Sequence, residues 1–220
     1  ADSSDSAMNL RDKILSLLPQ TASIFLLTLW LSLVTQLNAT ANELGSYSNA
    51  FSKFQKGNYN QATPLFRSLY SSAPDSTEGK RSLYLLAHSL VHINKPNEAI
   101  NMFQAAIRSY PEMEEYTRYH LTKVLLELGK NTKAMEQINV LQKKFPKTLL
   151  YAQIQILLAK IFEQDGKEKD ALSVLFETER HLSDFSKTSR TRSYLAEIIF
   201  YQGQLYQRTG KNNEAYNRYR

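Results

Sequence analysis

Two histidines are the first residues in this chain whose type and spacing could do chemistry. His88 and His92 lie one helical turn apart in the segment HSLVH, a spacing that can present two imidazoles to a zinc ion. In the HExxH helix of a metalloprotease the first histidine is followed by a glutamate base, but this chain has Ser89 there. The sequence therefore predicts a half-exposed pair of imidazoles on one helix face rather than a metal site.

The other motifs that could carry catalysis are incomplete. The segment GKRS at residues 79–82 is similar to the end of a phosphate loop, but the upstream glycine is missing and no strand precedes it. Glu114 and Glu115 are predicted to lie in solvent on a polar helix face, without a partner that would shift their pKa. The chain contains no cysteine, which excludes disulfides and a catalytic thiol. We therefore predict no catalytic, cofactor-binding or metal-binding residues, and a binding function instead.

An internal repeat provides the elements that would position a binding surface. Five residues are each followed five positions later by an alanine, in the pairs Gly57 and Ala62, Asn94 and Ala99, Gly129 and Ala134, Gly166 and Ala171, and Gly210 and Ala215. Glycine and asparagine are the residues that most readily end a helix in the left-handed conformation. The alanines are 37, 35, 37 and 44 residues apart, which is typical of a helical solenoid. The longest interval holds an extra polar stretch near residues 183–193.

Prolines and apolar residues complete each unit. Pro74, Pro111 and Pro146 each stand twelve residues after a repeat alanine, where they would end the second helix of a pair. Apolar residues recur at i, i+3, i+4 and i+7, as in Leu83, Leu86, Ala87 and Leu90. No single apolar stripe is wide enough to fold alone, so stacked pairs should share one core, with each alanine where the two helices of a pair cross closely.

The repeat marks resemble those of a known family. The segment GNYNQATPLFRSLYSSAP, residues 57–74, resembles the second half of a tetratricopeptide repeat, and Gly203, Tyr206, Gly210 and Ala215 match its pattern in the last unit. The resemblance covers about Leu44 to Arg220 and is weaker in the first helices of the early units, where no tryptophan appears. It implies an all-α, right-handed α-solenoid of about five tetratricopeptide-like helix-turn-helix repeats. In that family the first helices line a concave surface that holds peptides or partner proteins.

Two segments, AINMFQAAIRSYP at 99–111 and INVLQKKFP at 138–146, are also similar to units of bacterial envelope proteins. Such units occur in periplasmic cell-division and outer-membrane-assembly factors, and in the N-terminal superhelical regions of lytic transglycosylases. The resemblance implies a scaffold that binds a protein or peptide of the cell envelope. An alternative is the non-catalytic arm of a peptidoglycan lytic transglycosylase, which would also contact peptidoglycan. Because the chain stops inside the second helix of a unit, we expect further residues, and in the alternative a catalytic domain, to follow residue 220.

Polar and aromatic stripes run beside the apolar ones in two first helices. They consist of Arg81, Tyr84, His88 and His92 in the second unit, and of Tyr116, Tyr119, Lys123 and Glu127 in the third, at identical spacing. If first helices line the groove, both stripes face inward and suit recognition of an extended peptide, a C-terminal carboxylate or a glycan. The alternative is that the three tyrosines simply pack between helices.

The N-terminus has the order of an export signal. Arg11 and Lys13 precede the apolar stretch Ile24 to Val34, and Ala39-Thr40-Ala41 follows it as an A-x-A cleavage site. We expect cleavage after Ala41, so that residues 1–41 are upstream sequence and signal and 42–220 are the repeat domain. Met8 is the expected natural start. The destination expected is the bacterial periplasm; the alternative is an uncleaved inner-membrane anchor over Thr21 to Leu37, close to the shortest span for a bilayer.

The basic charge of the chain points to no particular partner. The formal charge is +6, without a dense run of lysine and arginine. The segment Lys187 to Arg220 interleaves basic residues with tyrosines, a composition that nucleic-acid binding would use. Export argues against nucleic acid as a partner, and we expect those tyrosines in the core.

Overall fold

The computed structural model describes residues 28–33, 46–185 and 188–220, and these residues form a helical stack. Ten helices follow residue 45 within the described part: α1 (46–55), α2 (Tyr59–Ser72), α3 (Thr77–His92), α4 (Pro96–Ser109), α5 (Glu114–Glu127), α6 (Asn131–Lys144), α7 (Tyr151–Gln164), α8 (Glu168–Phe185), α9 (Ser189–Arg208) and α10 (Asn212–Tyr219). A 3-10 helix, Pro111–Met113, precedes α5. The helices form five successive pairs, which confirms the predicted all-α solenoid.

The turn inside each pair adopts the left-handed conformation that the repeat marks predicted. Gly57, Gly129, Gly166 and Gly210 have φ between 65° and 75°, and Asn94 has φ 58°. The residue after the mark donates its N–H back into the last helical turn, as Lys130 does to the carbonyl of Leu125 at 2.9 Å. This is the Schellman geometry, which satisfies carbonyls that would otherwise be free at the helix end.

The repeat alanines and prolines lie at the positions in each helix pair that the sequence periodicity predicted. Ala62, Ala99, Ala134 and Ala171 are fully buried, and Ala215 nearly so. Pro74, Pro111 and Pro146 each follow an even-numbered helix by two residues. A larger side chain at a repeat alanine would force the two helices of the pair apart.

The core is continuous along the stack. One cluster of buried apolar side chains extends from Ala50 of α1 to Ile161 of α7. A second extends from Ile156 of α7 to Leu205 of α9. Because α7 contributes to both clusters, the stacked pairs share one core, as tandem repeats must if no pair buries enough surface alone.

The extra residues of the longest repeat interval lengthen two helices. Helices α8 and α9 contain 18 and 20 residues, whereas α4 to α7 contain 14 each. The polar stretch predicted near residues 183–193 therefore covers the end of α8 and the start of α9, and residues 186–187 lie outside the described part.

Consecutive odd-numbered helices approach each other on one side of the stack. Helix α5 contacts α7, α7 contacts α9, and the ring of Tyr84 in α3 lies 6.2 Å from that of His120 in α5. Long side chains bridge even-numbered helices, as in the 3.1 Å ion pair between Arg67 of α2 and Glu98 of α4. Elements on the inside of a curve lie closer together, so we infer that the odd-numbered helices form the inner side.

The prediction for Glu114 was wrong. Its carboxylate is buried, accepts hydrogen bonds from Arg118 at 2.8 Å and Lys144 at 2.5 Å, and joins α5 to α6. Burial by itself would raise the pKa of Glu114, but the two donors outweigh it and hold the pKa below its usual value. Glu115 accepts a hydrogen bond from Thr148 ahead of α7. Both carboxylates join neighbouring elements rather than lying free in solvent.

Most of the predicted export signal lies outside the described residues, including Met8, Arg11, Lys13 and Ala39 to Ala41. Residues 28–33 are helical, and Leu29, Trp30, Leu31 and Leu33 are each more than half exposed. Within the described ranges no helix combines the length and apolar character needed to cross a bilayer.

Candidate binding surface on the inner face

We call the side of the stack formed by α3, α5, α7 and α9 the inner face. The residues predicted from α3 and α5 lie on these helices, but they differ in burial and in their contacts. Arg81, His92, Tyr116 and Lys123 are exposed, whereas Tyr84, His88 and Tyr119 are partly buried.

A compact cluster of rings joins α3, α4 and α5, and we call it the histidine cluster: Tyr84, His88, Phe103 and His120. The imidazoles of His88 and His120 have centroids 4.3 Å apart at an interplanar angle of 77°. His88 also meets Tyr84 at 4.6 Å and Phe103 at 5.2 Å, both edge to face. Such edge-to-face packing is favourable for aromatic rings, so the cluster stabilises the packing of α3 against α5.

The histidine cluster is largely withdrawn from water, and its pKa values reflect that. Burial lowers the pKa of His88 to about 3, with smaller effects from His120, His92 and Lys123. Burial likewise lowers the pKa of His120 to about 4, helped by Lys123. Burial raises the pKa of the Tyr84 hydroxyl to about 12. Both imidazoles are therefore neutral at neutral pH.

His88 and His92 line the same depression on the inner face, but their rings pack against different neighbours. His88 turns towards α4 and α5, while His92 stacks on Tyr59 of α2 with centroids 4.0 Å apart. The two imidazoles face different neighbours because the helix turns by more than a full rotation over four residues. Among the described residues no group of three or more histidine and acidic side chains is arranged to hold a metal ion.

Arg81 is held at the edge of the inner face. Its guanidinium donates a hydrogen bond to the Tyr110 hydroxyl beyond the end of α4, which raises the pKa of Arg81 above its usual value. Gly79, two residues earlier, donates its N–H to the N-cap hydroxyl of Ser76 at 2.9 Å. A Cβ at Gly79 would lie 1.9 Å from the carbonyl oxygen of Ala73. The GKRS segment is thus a tightly packed helix start.

Tyr119 of α5 is partly buried, and burial raises its pKa, with smaller effects in the same direction from Glu197 and Tyr194 of α9. Lys123 of the same helix lies 6.0 Å from the centre of the Tyr119 ring. Tyr116 is 40% exposed. Tyr84 and Tyr119 therefore contact the core, as the packing alternative predicts, while part of each ring stays accessible.

The sequence interpretation missed three residues on this face. His120 directly follows Tyr119 and is equivalent in the repeat to the apolar Leu85 of α3. The polar and aromatic stripe defined on α3 therefore did not include it. Gln153 of α7 donates a hydrogen bond to the Tyr194 hydroxyl, while its own Oε1 is buried without a partner. The signal available for His120 was its i+4 spacing from Tyr116. Gln153 and Tyr194 are 41 residues apart, and no local pattern links them.

An open depression of about 400 Å³ lies between α7 and α9. The Tyr201 hydroxyl donates to Glu163 Oε2 at 2.6 Å, and Arg208 pairs with the same carboxylate. Burial, followed by the hydrogen bond to Glu163, raises the pKa of Tyr201 well above its usual value. The charges that line this depression are thus largely neutralised within the chain.

Stacked helix pairs with a shared core and an aromatic, polar inner face define a helical-repeat protein of the α-solenoid class. Residues 80–113, which hold most of α3, all of α4 and the 3-10 helix, match the tetratricopeptide repeat family model. Residues 80–113 are thus similar to one tetratricopeptide repeat, and the described residues have the fold of a tetratricopeptide-type solenoid.

Solved structures agree with this fold. The tetratricopeptide-like repeats of a putative kinesin light chain from Podosopora anserina superpose with a TM-score of 0.63 at 14% identity, over 79% of this chain and 90% of that one. MamA from Desulfovibrio magneticus RS-1, from its residue 41 to the end, gives a TM-score of 0.60 at 13% identity, over 79% of this chain and 89% of that one. No curated protein matches by sequence. At such identities the similarity concerns the fold.

Proposed function

We propose that this chain is an exported scaffold of the bacterial cell envelope that binds an extended peptide or protein segment along its inner face. Tetratricopeptide solenoids are protein-interaction scaffolds, and this chain has that architecture. The observation that carries the proposal is a set of partly exposed polar and aromatic side chains on the inner face, Tyr119 on α5, Gln153 on α7 and Tyr194 on α9, of which Gln153 and Tyr194 are joined by a hydrogen bond.

The chemistry of this line suits a peptide. Partly exposed tyrosine rings provide contact area at low entropic cost, and their hydroxyl groups remain available to polar atoms. Helices that are already folded do not have to order on contact, so less of the interaction energy is lost on binding.

Site-specific photo-crosslinking in the envelope fraction of cells tests this function. A photo-reactive amino acid at Tyr116 on the inner face should give a discrete crosslinked protein, whereas the same group at Gln104, exposed on α4, should not. Tyr119→Ala should reduce the crosslink from position 116 while the far-ultraviolet circular dichroism of the chain stays unchanged. Equal crosslinking from both positions would contradict binding on the inner face.

Export is the second part of the proposal. It is supported by the basic residues, apolar stretch and A-x-A order of residues 11–41, and by the exposure of the apolar side chains at 28–33. A β-lactamase without its own signal, fused after Ala41, should confer ampicillin resistance on the host. Release into the soluble periplasmic fraction would indicate cleavage, and retention in the membrane would indicate the anchored alternative. Sensitive cells would contradict export.

The peptidoglycan alternative predicts a different partner for the same face. The arm of a lytic transglycosylase should co-sediment with purified peptidoglycan sacculi, and Tyr119→Ala should abolish that sedimentation. A peptide scaffold should crosslink to protein and stay in solution when sacculi are added.

A further inference from the structure

The segment between α6 and α7 exposes a leucine next to basic residues. Leu149 is 75% exposed, more than any other large apolar side chain in the described part of the chain. Lys143 and Lys147 precede it and are exposed as well. No described acidic residue lies within ion-pair distance of either lysine. This segment therefore combines an apolar side chain in water with positive charge that the chain itself does not pair.

The backbone that carries Leu149 is fixed on both sides. Leu150 is buried in the first core cluster, and its N–H donates to the hydroxyl of Thr148 at 2.9 Å. Thr148 in turn donates a hydrogen bond to Glu115 of α5. Leu149 is thus held at the surface between two anchored residues, and it does not have to be ordered when a partner covers it.

Two arginines of α9 lie on the same edge of the stack. Gln153, in the first turn of α7, donates a hydrogen bond to Tyr194, in the second turn of α9. This contact brings the starts of the two helices side by side. Arg190 and Arg192 are exposed at the start of α9, and neither forms an ion pair with a described acidic residue. We call this surface the basic edge: Lys143, Lys147, Leu149, Arg190 and Arg192.

The equivalent segments of the earlier repeats carry the opposite charge. Asp75 lies between α2 and α3, and Glu112 lies between α4 and α5, whereas the segment between α6 and α7 contains Lys147 and no acidic residue. Glu177 of α8 adds to the effect of burial in raising the pKa of Tyr151 at the start of α7, so it offsets part of the positive charge there. Positive charge is therefore concentrated in the later part of this edge.

The other carboxylates near the basic edge are balanced by cations of their own. Glu114 pairs with both Arg118 and Lys144, and the positive charge that remains in this group balances Glu115. The four cations of the basic edge therefore stay in excess.

A bilayer with anionic headgroups suits both features of this surface. Lysine and arginine are attracted to its phosphates, and a leucine can enter the boundary between headgroups and acyl chains. Nucleic acid would use the positive charge but offers no such apolar layer to Leu149. Phe145, Pro146 and Tyr151 line an open depression of about 230 Å³ in the same segment, which extends the apolar surface.

We propose that the basic edge rests on a membrane surface that contains anionic phospholipids, with Leu149 inserted at the level of the headgroups. The inference goes beyond the peptide scaffold and does not depend on it. The basic edge lies at the ends of helices, so the sides of α3, α5, α7 and α9 that form the inner face stay open to a peptide while the chain is on the membrane.

A fluorophore at position 149 tests the contact directly. The sequence contains no cysteine, so Leu149→Cys provides a unique site for an environment-sensitive label. The full chain is titrated with vesicles of pure phosphatidylcholine, and with vesicles of phosphatidylcholine and phosphatidylglycerol in a two-to-one mixture. We expect the emission to shift to shorter wavelength on the mixed vesicles only. Gln104→Cys, labelled in the same way at an exposed position on α4, should show no shift on either.

Charge variants in the labelled Leu149→Cys chain separate the basic edge from the effect of net charge. Lys147→Gln should raise the vesicle concentration that gives half of the shift about fivefold, because that is the contribution of one basic residue close to an anionic surface. Lys133→Gln is the matched control, since it removes an exposed positive charge from the first turn of α6, at the opposite end of that helix from Lys143. It should leave the titration unchanged.

Three results would overturn the membrane contact: no shift at position 149, an equal shift on both kinds of vesicle, or equal weakening by Lys147→Gln and Lys133→Gln. Tighter binding to a single-stranded oligonucleotide than to the mixed vesicles would overturn it in favour of nucleic acid. Crosslinking from position 116 tests the inner face separately, so these failures would leave the scaffold function standing.

Discussion

The two imidazoles of the histidine cluster link the protonation of single residues to the stability of the solenoid. In the folded chain burial lowers the pKa of His88 to about 3 and that of His120 to about 4. In the unfolded chain both groups titrate near pH 6.5. Between these values the unfolded chain binds more protons, so the free energy of unfolding decreases as the pH falls below about 6.5.

We expect the free energy of unfolding to decrease between pH 7 and pH 5, by at most about 2 kcal/mol for each of the two histidines. His120→Phe keeps a ring in the cluster. It should make the free energy of unfolding depend less on pH, because it removes one titrating group and also the effect of His120 on the pKa of His88. Tyr116→Phe, at an exposed position on α5, removes no imidazole and is the control that should leave the slope unchanged. Urea denaturation at each pH measures the effect. Equal slopes for the native chain and His120→Phe would contradict the burial of a neutral imidazole.

At the scale of elements, the turn inside each pair depends on one residue in the left-handed conformation. Gly129 has φ 65°, and a Cβ there would meet no atom within 4 Å, so backbone strain is the main cost of a side chain. Gly129→Ala should lower the free energy of unfolding by about 1 to 2 kcal/mol. Asn94→Gly, the reverse change at the equivalent turn, should be neutral or slightly stabilising. A Gly129→Ala variant as stable as the native chain would show that the turn can adopt another conformation.

The last pair depends on a glycine for a different reason. Gly203 lies within α9, and a Cβ there would lie 2.3 Å from the Tyr219 ring of α10. Gly203→Ala should therefore cost about 1 to 3 kcal/mol through overpacking. Tyr219→Ala removes the obstructing ring, so the double variant should be more stable than the sum of the single effects predicts. Strict additivity in thermal denaturation would contradict this close contact.

These elements show what a local pattern can predict. The left-handed residues, buried alanines and terminating prolines all act within one helix pair, so the sequence predicted them at the correct positions. Glu114 was predicted in solvent because its partner Lys144 is 30 residues away, at the far end of the next helix. His120 was missed because its neighbour His88 belongs to the preceding pair.

At the scale of the whole molecule, each helix pair contacts only the adjacent pairs. A destabilising substitution should therefore affect mainly its own part of the stack. Ile198 of α9 is fully buried in the second cluster, and Ile198→Ala should cost about 2 to 5 kcal/mol there. Hydrogen exchange should become faster in α8, α9 and α10, while α2 to α4 keep their protection. Leu86→Ala in α3 is the matched change in the first cluster. It should make hydrogen exchange faster in α2 to α4 and leave α8, α9 and α10 protected. Uniform loss of protection in both variants would indicate one all-or-none unit instead.

The sequence by itself determined the class of the protein, the number of helix pairs and the residues that begin and end them. These features depend on helical periodicity and on the conformational preferences of glycine, asparagine and proline, which are properties of neighbouring residues. The tertiary structure alone decided that His88 packs against His120, that Gln153 meets Tyr194, and that Lys123 borders a depression. Those contacts depend on how far one pair is rotated against the next. The rotation is set by packing of side chains about 30 to 40 positions apart, the length of one repeat.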